Sequence, residues 1–332
     1  MSPPRLVTLV AASCAAAVLL SASARKPAPT DEHLMHMAPG DVAAPMAHPS
    51  ATLGSPGLPP SNNEAPARLA ASPRHAEWVK VAWEPGSPDS LMAWIVYPST
   101  SNARTPVVVV VHEIFGLSTW IRGVADQVAA DGFIAIAPDL ESRVRGGPTT
   151  VELSGDSARK LIQGVSIAER NRGITAVARY AMSQPAAAAR YAVIGFCWGG
   201  QTVWGHAING GTSGYSGGVA YYGAPFMSQG EPGSPAEPIR DSLAKIQKPV
   251  MLLSGSKDTR IGAAMPSVES MMKSLGKWYY GKNYDGAAHG FLRIQDDPKT
   301  PPDPSENQAN VAATNDAWPR TLEFLRTNLR AK

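Results

Sequence analysis

"YAVIGFCWGGQ", residues 191–201, decides the fold. An apolar, strand-forming run ends in a cysteine set between Gly195 and Gly199, and a helix-compatible segment follows. Gly195-Phe196-Cys197-Trp198-Gly199 has the spacing G-x-S-x-G of a nucleophile elbow, with sulfur in place of the hydroxyl. The spacing has a physical reason. The nucleophile stands on a strained turn between strand and helix, where a side chain at either glycine would strike neighbouring backbone. The helix that follows points its N–H groups at the sulfur and stabilises negative charge there. A buried cysteine in a Gly-rich crossover would read alike, so the pentapeptide alone leaves both readings open.

Outward from the turn, short apolar segments alternate with helical ones. "PVVVVVH" at 106–112 is a continuous β-branched run, which suits a central strand buried on both faces. A strand pair is expected at 78–83 and 91–97, joined by "EPGSPDS". Further strands are expected at "FIAIAPD", "YAVIGF", "GVAYYG", "KPVMLLSG" and "KWYYGKNYD". Helices are expected at 119–130, at 157–183 as one long element, at 199–208, at 264–275 and at 307–328. Alternation of this kind predicts an α/β fold: a mostly parallel central sheet with helices on both faces, formed by residues 74–332 as one domain.

The candidate partners of Cys197 come later in the chain. Asp258 follows the strand "MLLSG", where a carboxylate reaches the C-terminal edge of the sheet. His289 lies in "AAHGF", on a loop before the last helix. Nucleophile, acid, histidine is the chain order of the α/β-hydrolase fold. Each residue also has a plain structural reading, Asp258 as a turn cap and His289 as a loop histidine.

Together, "VVVVVHEIFGLSTWIRGVADQVAADGFIAIAPDLESR", "GFCWGG", "SGSKD" and "AAHGFLR" resemble the dienelactone hydrolase family, typified by carboxymethylenebutenolidase. The similarity spans residues 78–329. It implies a catalytic Cys197, His289 and Asp258, with Glu113 beside the nucleophile. It further implies attack on an ester or lactone carbonyl, a thioester intermediate, and backbone oxyanion donors at Ile114 and Trp198. Glu113 would hold the thiol protonated at rest and take its proton when substrate binds. Arg143 and Arg293 match positions that bind the substrate carboxylate, a task suited to the paired donors of guanidinium. One departure is Gly290, which stands where well-known members carry a serine. Trp198, Trp120 and Tyr222 are candidates for an apolar pocket or for ordinary core.

Composition bounds the partners. Thirty Lys and Arg against 27 Asp and Glu leave a formal charge of +3, too small to suggest nucleic acid. No nucleotide-binding loop and no metal motif occurs in the domain, so the expected chemistry needs no cofactor. No motif encodes an oligomer, and a monomer is expected.

Residues 1–24 read as an export signal: Arg5, an apolar run, then Ala22-Ser23-Ala24 as a cleavage site. The mature chain is then periplasmic or secreted and has no membrane span; the alternative is a lipoprotein anchored through Cys14. The chain has two cysteines, so cleavage would leave Cys197 without a disulfide partner. Residues 25–73 are rich in Pro, Ala and Ser and read as a disordered linker. Within it His33, His36 and His48 with Met35, Met37 and Met46 could offer copper ligands, against the plainer reading of a solvated tail. Three functions follow: a cysteine hydrolase of small anionic esters or lactones, a broad esterase or thioesterase, and a non-catalytic exported binding protein.

Overall fold

Five consecutive valines, Val107 to Val111, are all fully buried and form the middle of the sheet. A strand can bury every residue only when both of its faces are covered, and β-branched side chains fit such a strand well. The structure is a computed structural model that describes residues 57–330, with gaps at 101–103, 151–152, 154 and 229–235 and at 297–302. Apart from Met1, which is also described, the expected signal segment, Cys14 and the His/Met segment lie outside the described residues.

Among the described residues, eight strands form one sheet in the order β1-β2-β4-β3-β5-β6-β7-β8. These are β1 (Ala76–Ala82), β2 (Ser90–Val96), β3 (Thr105–Val111), β4 (Ile134–Asp139), β5 (Ala187–Phe196), β6 (Tyr215–Tyr221), β7 (Val250–Gly255) and β8 (Tyr279–Tyr284). β2 runs antiparallel to β1 and β4, and all other pairings are parallel. This is the mostly parallel sheet that the alternating pattern predicts, in the α/β-hydrolase arrangement implied by the order of Cys197, Asp258 and His289. β3 and β5 sit side by side near the centre, so the loops at their C-terminal ends open beside each other, where ligands bind in open α/β sheets.

The helices are α1 (Ala65–Ala70), α2 (Thr119–Ala130), α3 (Ser142–Arg145), α4 (Gly155–Ile162), α5 (Ile167–Met182), α6 (Trp198–Ile208), α7 (Arg240–Leu243), α8 (Thr259–Ser274) and α9 (Pro304–Asn328). They leave every position of β4 and β7 buried. Local chemistry sets several starts. Ser118 caps α2 by accepting the Ile121 N–H, and Ser166 caps α5 in a reciprocal capping box with Glu169. Among the described residues no helix is long and apolar enough to cross a membrane.

Two expectations are corrected. The single helix expected at 157–183 is two helices, α4 and α5, because the chain turns at Gly164 and restarts on the Ser166 cap. The linker expected to run to residue 73 gives way to folded chain by residue 58. Pro60 accepts the indole N–H of buried Trp120 at 2.9 Å, and a Cβ on Gly123 would come within 2.8 Å of the Pro60 ring. The same segment fastens a distant loop: Asn62 N–H donates to the Arg293 carbonyl at 2.8 Å, and Ser61 Oγ donates to Asp296 at 2.7 Å.

A chain starting at residue 74 is therefore expected to melt roughly 5–10 °C below one starting at residue 57, since several hydrogen bonds and the cover over Trp120 are lost. Thermal unfolding followed by circular dichroism measures this. Equal melting temperatures would contradict the bracing role of 58–64.

Candidate active site

One residue, Cys197, separates the end of β5 from the start of α6. Its backbone lies at φ 57°, ψ −116°, in a region that residues with a side chain rarely occupy. The surroundings enforce it. The Cys197 N–H donates to the Tyr221 carbonyl at 3.0 Å, and the Cys197 carbonyl accepts from Gln201 N–H at 3.1 Å. A Cβ on Gly195 would lie 2.2 Å from the Gly199 carbonyl oxygen, and one on Gly199 2.5 Å from the carbonyl oxygens of Val111 and His112. Gly223, outside the pentapeptide, is equally confined: its Cβ would meet the Cys197 carbonyl at 2.5 Å. Close backbone approach, not flexibility, is what these glycines supply.

Asp258 and His289 meet at this turn. Asp258 is the N-cap of α8: Oδ1 accepts the Ile261 N–H at 3.2 Å, while Oδ2 lies 2.6 Å from His289 Nδ1. Burial works against the Asp258 charge, but the hydrogen bond from His289, its positive charge and the Ile261 N–H prevail, so the carboxyl titrates below its ordinary range. His289 in turn lies within electrostatic reach of Cys197. Burial opposes its protonation too; the influence of Cys197, the hydrogen bond to Asp258 and the Asp258 charge outweigh that and raise the imidazole to about 10. At neutral pH the imidazole is protonated, with the Asp258 carboxylate at its Nδ1.

Glu113 and Arg293 form a second buried pair. Glu113 Oε2 lies 2.9 Å from Arg293 Nε, and both residues are buried. The Tyr222 ring packs 5.1 Å from His289, and its hydroxyl lies within the fields of Glu113, Arg293 and Cys197. Burial first, then the Glu113 and Cys197 charges, push that phenol well above its ordinary range, so it stays a neutral hydrogen-bond donor. Tyr222 is the second described non-glycine residue with positive φ, at 40°.

The profile of the dienelactone hydrolase family matches residues 91–329. The chain belongs to the dienelactone hydrolase family. A Salmonella typhimurium relative provisionally named carboxymethylenebutenolidase is 32% identical over 191 residues, 58% of this chain and 68% of its own. A Synechocystis relative of the same provisional name is 31% identical, over 68% of this chain and 87% of its own. A Klebsiella pneumoniae crystal structure, provisionally named a dienelactone hydrolase, superposes with TM-score 0.59 at 24% identity over 75% of this chain and 98% of that one. That likeness, and a TM-score of 0.53 to a Pyrococcus horikoshii acylaminoacyl peptidase at 12% identity over 82% of this chain and 44% of that one, shows the shared fold. As a member of this hydrolase family, the chain is a hydrolase.

Within the family frame, the structure joins Cys197, His289 and Asp258 and sets Glu113 and Arg293 close by. It separates Arg143, whose guanidinium pairs with Glu169 and whose side chain is 58% exposed. The expected two-arginine clamp thus has one buried arginine, Arg293. Ile114, in the loop after β3, and Trp198, the first residue of α6, are both fully buried. Trp120 is core, edge-on to Phe196 at 5.1 Å. Gly290 adopts φ 76°, which favours glycine, and a Cβ there would face Arg293 and Glu113 at 3.9 Å each. From the sequence, Glu113 also reads as the partner of some nearby basic residue; the structure shows that residue to be Arg293.

Because the folded imidazole titrates above its ordinary 6.5, its contribution to stability is complete below about pH 6.5 and is lost as pH rises through about 10. Cys197→Ala removes the largest raising influence, so the alkaline loss of melting temperature attributable to His289 is expected at lower pH than in wild type. NMR titration of the His289 ring in both proteins checks it. An unchanged midpoint would contradict the coupling of His289 to Cys197.

Proposed function

We propose that the chain hydrolyses a small ester or lactone bearing a carboxylate, with Cys197 as nucleophile and a thioester intermediate. The observation that carries this reading is the strained Cys197 turn set against the His289–Asp258 pair. The Cys197 sulfur attacks the carbonyl carbon, and the carbonyl electron pair moves onto oxygen, where the N–H groups of Ile114 and Trp198 stabilise it. Collapse breaks the C–O bond as His289 gives its proton to the leaving oxygen; in a lactone that oxygen stays tethered. Neutral His289 then takes a proton from water, which attacks the thioester and expels the thiolate.

The Glu113–Arg293 pair supports an anionic substrate. At rest Arg293 balances the Glu113 charge. A substrate carboxylate arriving at Arg293 competes with Glu113, and the released carboxylate becomes a base beside the thiol. The export signal read at residues 1–24 favours a working place outside the cytoplasm, where burial of Cys197, only 1% exposed, guards its thiol.

The test is a kinetic panel of cis- and trans-dienelactone beside uncharged aryl esters. Cys197→Ala is expected to lower kcat by about 10³-fold or more on every substrate. Arg293→Ala should lower kcat/KM by about 10–100-fold on the anionic substrates alone, and Arg143→Ala, which removes an exposed pair with Glu169, should change little. Wild-type rates from Cys197→Ala would end the nucleophile reading. Equal losses on charged and uncharged esters in Arg293→Ala would end the carboxylate reading.

A further inference from the structure

His112 follows β3, is fully buried, and immediately precedes Glu113. Both ring nitrogens are committed. The Leu140 N–H donates to Nε2 at 3.1 Å, and Nδ1 lies 2.5 Å from the Glu113 carbonyl oxygen. A backbone N–H can only donate, so Nε2 is the unprotonated nitrogen and Nδ1 carries the hydrogen. One neutral tautomer alone satisfies both contacts. Burial keeps the ring neutral, lowering its titration to about 4, and the nearby charges of Arg145 and Arg170 act in the same direction.

The Glu113 carbonyl shares a peptide group with the Ile114 N–H. In a planar trans peptide the two point in opposite directions, so a hydrogen bond that fixes the oxygen also fixes the direction of the N–H. It polarises the group as well, which strengthens the N–H as a donor. The same imidazole stacks on the Trp198 ring at 5.5 Å and 13°, while the Arg170 guanidinium lies 4.3 Å from that ring's centre. One side chain therefore touches the peptide of Ile114 and the residue that carries the other donor. Farther out, Leu117 N–H donates to Thr149 Oγ1, and Thr149 is held by Asp139 at the end of β4, so the loop is anchored on both sides of Ile114.

We propose that His112 is a positioning residue for hydrolysis: its Nδ1–H, held on the Glu113 carbonyl, aims the Ile114 N–H at the oxyanion. The inference rests on the reading of Ile114 and Trp198 as oxyanion donors. His112 neither touches the substrate nor moves a proton.

His112→Phe keeps a flat ring beside Trp198 and removes both hydrogen bonds, whereas His112→Asn keeps a donor at the δ position. The readouts are kcat and KM for p-nitrophenyl acetate and the rate of Cys197 alkylation by iodoacetamide, a displacement at saturated carbon that forms no oxyanion. His112→Phe is expected to lower kcat by about 10–100-fold with KM within about threefold, while alkylation stays within about twofold of wild type. His112→Asn should recover most of the lost kcat. If His112→Phe does not fold, His112→Leu gives the same contrast with His112→Asn. Unchanged kcat in the donor-less variant, a parallel fall in alkylation, or His112→Asn no better than His112→Phe would overturn the inference alone. Wild-type turnover that survives complete alkylation of Cys197 would overturn the nucleophile reading, and this inference with it.

Discussion

Everything at this site depends on a single backbone constraint: Cys197 is forced into a strained, positive-φ conformation between β5 and α6. The turn is possible only because Gly195, Gly199 and Gly223 let four stretches of backbone pass within contact distance. Such strain costs about 1–3 kcal/mol, and the buried β3–β5–β6 centre of the sheet holds it in place. The turn leaves the sulfur at the carboxyl edge of the sheet with a helix starting beneath it. Charge is thus pre-arranged around the sulfur before any substrate arrives.

Two buried ion pairs then share one small volume without cancelling. Asp258 holds His289 as a cation facing Cys197, and Arg293 holds Glu113 away from acting as a lone negative charge beside that sulfur. Buried charges persist when each has a partner and hydrogen bonds satisfy the remaining valences. Asp258 meets that condition through the α8 N-terminus. The loop that bears His289 and Arg293 is tied to segment 58–64, which bonds the Arg293 backbone carbonyl and the Asp296 carboxylate. The rigid sheet edge and the N-terminal segment together fix a loop that would otherwise be free to move.

Much of this was legible in the chain. The β-branched run of β3, the glycine spacing around Cys197 and the positions of Asp258 and His289 after their strands led to the fold and the three-residue constellation. The restart of α5 was also written locally, since Ser166 and Glu169 have the S-x-x-E spacing of a capping box. Other features depend on chain segments far apart. His112 reads as the polar end of an apolar run until Leu140, 28 residues on, presents its N–H. The order of 58–64 comes from Trp120 and Gly123, not from any period of its own, and composition alone reads it as linker. Arg143 matches a family position, yet the capping Glu169 also draws its guanidinium to the surface.

The central claim is that Cys197 carries the acyl group. Rapid-quench intact mass spectrometry of the wild-type protein mixed with p-nitrophenyl acetate tests it most directly, with the adduct located by peptide mapping. The account predicts one acetyl group on the peptide containing Cys197, formed within a turnover, discharged by hydroxylamine and missing from Cys197→Ala. Steady hydrolysis with no adduct at Cys197, or an adduct on a serine elsewhere, would contradict it.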